Sequence, residues 1–204
     1  MYSQNDEEQY ILEAVGDGPG VFLDIGAFDG KTFSNTAALA DRGWSGVLVE
    51  PSMNAFTALR RRYADNPRIQ LVHAAVGCVR GLVKFWESPD AVSTTSEKHR
   101  EVWESAAAFQ EPYYVAQVTI PDLLNLPSLR SLDLVSIDTE GTSSEIFAHW
   151  FTLSIPKPKV FIVEYDFRDE ELALLAKGAG FDSAYKSNEN LVLVHESCRT
   201  RAQV

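Results

Sequence analysis

The stretch that most narrows the possible folds runs Val21-Phe22-Leu23-Asp24-Ile25-Gly26-Ala27-Phe28-Asp29-Gly30. A mostly apolar run of this length reads as a buried strand. It carries a carboxylate near its end and enters a turn with two glycines. Beyond Lys31, the spacing of Phe33, Thr36, Ala37, Ala40 and Asp41 predicts a helix. A strand, a tight glycine turn and a helix start together make a nucleotide cradle. Glycine lets the backbone approach a ligand, and the free N–H groups of a first helical turn would face it.

The spacing G-x-x-x-G differs from the G-x-G-x-x-G of dinucleotide-binding turns. Here Asp24 stands two residues before the first glycine, where it suits a ligand with a positively charged amino group better than a bare pyrophosphate. The pattern therefore points to S-adenosylmethionine. A nicotinamide-dependent oxidoreductase is the rival on a similar fold, and the missing third glycine counts against it. A second apolar run, Gly46-Val47-Leu48-Val49, ends on Glu50 and is stopped by Pro51. Glu50 lies 24 positions after Gly26, close to the roughly 20 expected of an acid that takes ribose hydroxyls.

Downstream, Ser52 is placed to cap a helix through Phe56, Leu59 and Tyr63, and Ile69 to Ala75 reads as a third strand. Residues 1–18 hold a short amphipathic helix, Asp6 to Val15, ended by Gly16-Asp17-Gly18. Residues 77–118 break the β-α rhythm. They are expected to hold a strand at Leu82–Trp86 pairing back on strand three, a mobile polar loop at Ser88–Ser96, a helix from Glu97 to Phe109, and a strand at Tyr113–Val118. This segment reads as a lid-like insertion over the mouth of the site. A short helix at Ile120–Leu126 and a strand at Leu132–Asp138 follow. Next come a helix at Ser144–Trp150, a strand at Val160–Glu164 and a helix at Arg168–Gly178. A final hairpin is expected from Phe181–Lys186 and Leu191–His195. The prediction is α/β: one domain over 1–204, with a doubly wound, mostly parallel sheet, a C-terminal antiparallel hairpin and the 77–118 insertion. That is the layout of the class I, Rossmann-like methyltransferases.

Four strands end in acids: Asp24, Glu50, Asp138 and Glu164. Ligands of open α/β sheets bind at these strand ends. Asp24 and Glu50 suit the cofactor. Asp138, Glu140 and Glu164 fall where an acceptor would lie, and a carboxylate with a raised pKa there could take a proton from it. The same three acids are also an oxygen set for Mg²⁺ or Ca²⁺, but they lack a defined ligand pattern and no metal is assigned. Of the histidines, His73 reads as core or pocket lining, and His99, bordering the insertion, is the one kept as a catalytic candidate.

Composition narrows the function further. With 45% hydrophobic and 11% aromatic residues, the 204-residue chain can bury one sizeable core. A formal charge of −11 argues against a nucleic-acid substrate, and the run Arg60-Arg61-Arg62 reads as a solvated helix face. No apolar run is long enough to span a membrane, and the acidic start is unlike a signal peptide, so the expected location is cytoplasmic. Cys78 and Cys198 have no metal-type spacing and are expected as free thiols.

Taken in order, several motifs resemble the FkbM family of methyltransferases. They are Tyr2-Ser3-Gln4, Asp24 to Gly30, Ser34-Asn35-Thr36, Gly43-Trp44-x-Gly46, Glu50-Pro51, Ala74-Ala75-Val76-Gly77 and Ile137-Asp138-Thr139-Glu140-Gly141. The resemblance implies a class I fold using S-adenosylmethionine and releasing S-adenosylhomocysteine. It implies methylation of oxygen on sugars, polyketides or other natural products, or of amide nitrogen on a peptide. It gives a cofactor set of Asp24, Gly26, Ala27, Gly30, Asn35, Thr36, Glu50, Pro51, Ala75 and Asp138. The first residues would hold the methionine end, Glu50 the ribose and Ala75 the adenine, with Asn35 and Thr36 closing the pocket from the other side. Ala74-Ala75 supplies no polar side chain for the adenine, so backbone contacts are expected there. The expected function is an O-methyltransferase of natural-product biosynthesis acting on a small molecule. The alternatives are an N-methyltransferase on a peptide and a non-catalytic module that keeps the fold.

Overall fold

The computed structural model describes residues 1–198; residues 199–204 of the expected domain lie outside them. The backbone is a seven-stranded sheet with helices on both faces. Strand β1 (Val21–Ile25) pairs in parallel with β2 (Ser45–Val49), and β2 with β3 (Ile69–Val72). On its other side β1 pairs in parallel with β7 (Leu134–Ile137), and β7 with β8 (Val160–Glu164). The closing hairpin of β9 (Phe181–Lys186) and β10 (Asn190–His195) joins through β10, antiparallel to β8. The strand order is β3-β2-β1-β7-β8-β10-β9. The order reverses between β1 and β7, and their carboxyl ends open a crevice there.

Alternation along the strands builds a core on each face. On one side Leu23, Ile25, Val135, Ile137, Phe161 and Val163 pack on α5 (Ile120–Leu124), α6 (Ser143–Trp150) and α7 (Asp169–Gly178). On the other, Phe22, Leu48, Leu134 and Ile162 pack under α1 (Glu7–Val15), α2 (Ala37–Asp41) and α3 (Met53–Arg62). Ser52 caps α3 as expected, its hydroxyl accepting the Ala55 N–H at 3.1 Å. No helix among the described residues is long and apolar enough to cross a membrane, and both cysteines are free thiols.

Four expectations are corrected. The helix after the glycine turn begins only at Ala37, because Phe33 takes left-handed backbone (φ 57°) and the Ser34 hydroxyl accepts the N–H groups of Thr36 and Ala37. The third strand stops at Val72. After it the chain crosses to a separate sheet, ordered β4-β6-β5, made of β4 (Ala75–Val76), β5 (Gly81–Phe85) and β6 (Tyr113–Val118). Strand β5 therefore pairs with β6 and not with β3. The fourth concerns the helix expected to reach Phe109, which is the shorter α4, Glu97–Trp103.

Candidate active site

At the end of β1 the chain is clamped to its neighbour: the N–H groups of Gly26 and Ala27 both donate to the Val49 carbonyl, at 2.9 and 3.1 Å. Gly26 has φ 86°, and a Cβ there would fall 1.6 Å from the Asp138 carbonyl oxygen. Only glycine lets the ends of β1 and β7 approach so closely. Gly30 (φ 71°) has a different task, since a Cβ there would meet Leu59 and Tyr63 on α3. It packs the turn against that helix, behind the wall of the crevice.

The crevice has two lobes that meet at Gly26, Phe28, Ala91, Asp138 and Glu140. The smaller, about 510 Å³, is walled by Glu50, Pro51, Ala75, Val76 and Phe85. Glu50 is buried, and its two carboxylate oxygens accept the N–H groups of Phe28 (2.9 Å) and Ser52 (2.7 Å). Burial pushes its pKa up to about 7, against the pull of those two hydrogen bonds. The larger lobe, about 1710 Å³ and open to solvent, holds Asp24, Ala27, Asn35, Ser136, Glu164 and Asp166. Asp24 is buried and accepts hydroxyls from Thr36 (2.6 Å) and Ser136; desolvation raises its pKa to about 6. Thr36 itself is fully buried behind the wall, so it positions Asp24 without facing the cleft. Asn35 is only 6% exposed, and its Oδ1 has no hydrogen-bond partner. A buried acceptor left open in this way costs free energy unless something supplies a donor.

Asp138, Glu140 and Glu164 come together as expected, with carboxylate oxygens within 4.8 Å of one another. Asp138 and Glu164 hydrogen-bond through their carboxyls. Desolvation and the neighbouring acids push both well above the usual carboxylate range. Glu164 also accepts the Ser143 hydroxyl (2.6 Å) and the Glu140 N–H (3.0 Å). A shared proton is the response of crowded carboxyls to burial.

The 77–118 insertion supplies the facing wall. The segment expected as a mobile polar loop is pinned: Thr94 is buried, bridges Trp86, and donates its hydroxyl to the Glu140 carbonyl at 2.5 Å. Residues Asp90 to Val92 and Ser96 to Trp103 contribute to the lining of the larger lobe. His99 packs over Gly141 and sets its Nε2 3.1 Å from Glu140, off the line of a hydrogen bond. His73 lies away from both lobes: it is exposed, stacks on Phe56 and contacts the Pro51 carbonyl through Nε2 at 3.0 Å.

Sequence reasoning missed part of this lining. Phe28 (φ 48°), Phe33 (φ 57°), Glu140 (φ 55°), Asp166 (φ 46°) and Phe167 (φ 63°) are the non-glycine residues with left-handed backbone among those described, and all five line the larger lobe. Such conformations cost free energy and collect at functional sites. Phe28 lies within the glycine turn, Phe33 within the helical spacing and Glu140 among the strand-end acids, but no periodicity or glycine marks Asp166 and Phe167. Gln4 also lines the lobe, and the Tyr2-Ser3-Gln4 motif is the only signal for it.

Comparison with known proteins agrees with this geometry. No curated protein sequence matches the chain significantly. Among solved structures, the methyltransferase FkbM of Methylobacillus flagellatus KT superposes with a TM-score of 0.53 at 15% identity, covering 87% of this chain and 43% of that one. This chain thus spans less than half the length of that protein. Sp1610 of Streptococcus pneumoniae, a proposed tRNA (m1A22) methyltransferase, superposes with a TM-score of 0.51 at 13% identity, covering 99% and 74%. Precorrin-6y C5,15-methyltransferase of Geobacter metallireducens GS-15 gives 0.50 at 13%, covering 95% and 88%. These likenesses establish the fold as class I and Rossmann-like. The sequence itself matches the Methyltransferase FkbM domain over residues 24–187, and with most of its length inside that match the chain belongs to the FkbM methyltransferase family.

Proposed function

We propose that the protein is an S-adenosylmethionine-dependent methyltransferase that methylates a hydroxyl of a small, natural-product-like acceptor. The observation that carries this is the unpartnered Oδ1 of buried Asn35 in the same lobe as Asp24. A carboxylate and an open amide oxygen together suit an ammonium, which has three donors. Glu50, at the tip of the adjacent strand, keeps lone pairs for the ribose hydroxyls, and Pro51, Ala75 and Phe85 give the adenine an apolar slot. Thr36 and Ser136 hold the Asp24 carboxylate in place.

When bound, the cofactor supplies a methyl group on a sulfonium. The chain's own work is mainly to position two reactants for an in-line displacement. The crowded pair of Asp138 and Glu164 has a proton affinity raised toward the operating range of a general base. In its ionised form it can take the hydroxyl proton as the new bond forms. The three-carboxylate group could also bridge a divalent ion.

The test is calorimetric titration with S-adenosylhomocysteine. Wild type is expected to bind, and Asp24→Ala to lose at least tenfold in affinity while keeping its circular dichroism. No binding to wild type would overturn the reading. A mass-shift screen for a gain of one methyl, with fragmentation to locate it, then separates a hydroxyl acceptor from a peptide amide. It also separates an enzyme from a non-catalytic module.

A further inference from the structure

The larger lobe exposes apolar surface that a soluble protein rarely leaves open without use. Phe167 is 95% exposed, Val102 63%, Phe33 49% and Trp103 40%, and all four line this lobe. They converge from three places in the chain: α4 carries Val102 and Trp103, the turn after β8 carries Phe167, and the segment after the glycine turn carries Phe33. The floor beneath them is acidic. Glu140 and Glu164 lie there with oxygens within 4.8 Å of each other, and Asp166 stands beside them. Lys98 is the only lysine or arginine among the described residues lining the lobe.

The donor's own positive charge does not balance this floor. In the reading above, its ammonium is held by Asp24 and Asn35, leaving the Glu140 and Glu164 end for the second reactant. An acceptor bearing phosphate or carboxylate would set like charge against that end. A neutral sugar could lay a C–H face on the rings and bond the oxygens, but it would leave the charge of the carboxylates unbalanced. An organic ammonium satisfies both halves at once. Aromatic faces attract a cation, carboxylates neutralise it, and its carbon body covers the exposed rings.

We propose that the acceptor lobe takes a small organic amine, protonated at neutral pH and carried on an aromatic or alicyclic body, with its ammonium seated between the ring-lined rim and the carboxylates of Glu140 and Glu164. This names the acceptor class of the site and rests on the methyl-donor reading. The ammonium serves as an anchor, separate from the hydroxyl that is methylated.

The test uses the full chain saturated with S-adenosylhomocysteine, so that the donor lobe is closed to the probes. Three indole probes of matched shape are titrated by calorimetry: tryptamine (cationic), tryptophol (neutral) and indole-3-propionate (anionic). Tryptamine is expected to bind at least tenfold more tightly than tryptophol, with indole-3-propionate weakest. Glu140→Gln and Glu164→Gln, singly and together, should bring tryptamine toward the tryptophol value, and Trp103→Ala should weaken both. Equal or tighter binding of the neutral or anionic probe overturns the proposal, as does absence of binding by all three up to millimolar concentration. The wild-type series alone decides the matter if a glutamine variant fails to fold. Failure of S-adenosylhomocysteine to bind in the first place would overturn the donor reading instead, so the two failures are separable.

Discussion

Asp24 concentrates the tension of the site in one side chain. It is buried, it accepts two hydroxyls, and its pKa is still raised from 3.8 to about 6 because desolvation outweighs those bonds. In the unfolded chain the carboxyl ionises near 3.8, whereas the folded protein holds the proton to about 6. The stability this group contributes is therefore full below the unfolded value, is lost as pH rises through the interval, and stays lost above about 6. Asp24→Asn removes that loss, and because Thr36 and Ser136 carry hydroxyls, either can turn to accept from the new amide. Urea titrations should show the Asp24→Asn variant gaining about 1–3 kcal/mol on wild type at pH 8 relative to their difference at pH 4, since two pKa units correspond to about 3 kcal/mol. A stability difference that is flat with pH would show that Asp24 is not held in a costly ionised state. The same substitution should weaken S-adenosylhomocysteine binding, so this position trades stability for function.

The insertion between β4 and β6 is the element that completes the cleft, and two of the contacts that moor it lie at Glu140 and Gly141. The Thr94 hydroxyl bonds the Glu140 carbonyl, and His99 packs on Gly141, where an added Cβ would lie 2.6 Å from the His99 Cβ. Thr94→Val keeps the volume and removes two hydrogen bonds, the one to the Glu140 carbonyl and the one accepted from the Ser96 N–H at 2.8 Å, each worth about 0.5–1.5 kcal/mol. Hydrogen exchange should quicken across residues 88–103 while the strands of the main sheet keep their protection; unchanged exchange there would mean that the mooring lies elsewhere. The sequence disclosed the two ends of this element and not its pairing. Ile69 to Ala75 is largely apolar and carries no breaker, so nothing local announces that the chain leaves the sheet at His73. The partner of β5 is then decided by which edge lies near in space, which is a tertiary matter. By contrast, strands β1, β2 and β8 were readable because each is a buried apolar run bounded by an acid or a turn residue. The acids at their tips were readable for the same reason. Asp166 and Phe167 were not, because both take left-handed backbone with no glycine there to announce it.

At the scale of the whole molecule, charge limits which acceptors can reach the cleft. The chain carries 29 acidic and 18 basic residues, a formal −11, and the cleft mouth continues that sign with Lys98 as its only lysine or arginine among the described residues. The single basic run does not offset this. Arg62 is already engaged with Asp41 at 3.7 Å and lies over the rings of Tyr2 and Tyr63, which leaves Arg60 and Arg61 at the end of α3. Binding a nucleic-acid backbone needs several cations to neutralise phosphates and release counterions, and two arginines on one helix end do not make such a track. Bulk tRNA should therefore show no shift with this protein in native gels at physiological salt, and lowering the salt should recover at most weak, diffuse binding. A discrete, saturable tRNA complex that weakens steeply with added salt would place a cationic surface on the molecule and redirect the search for its acceptor from small amines to polyanions.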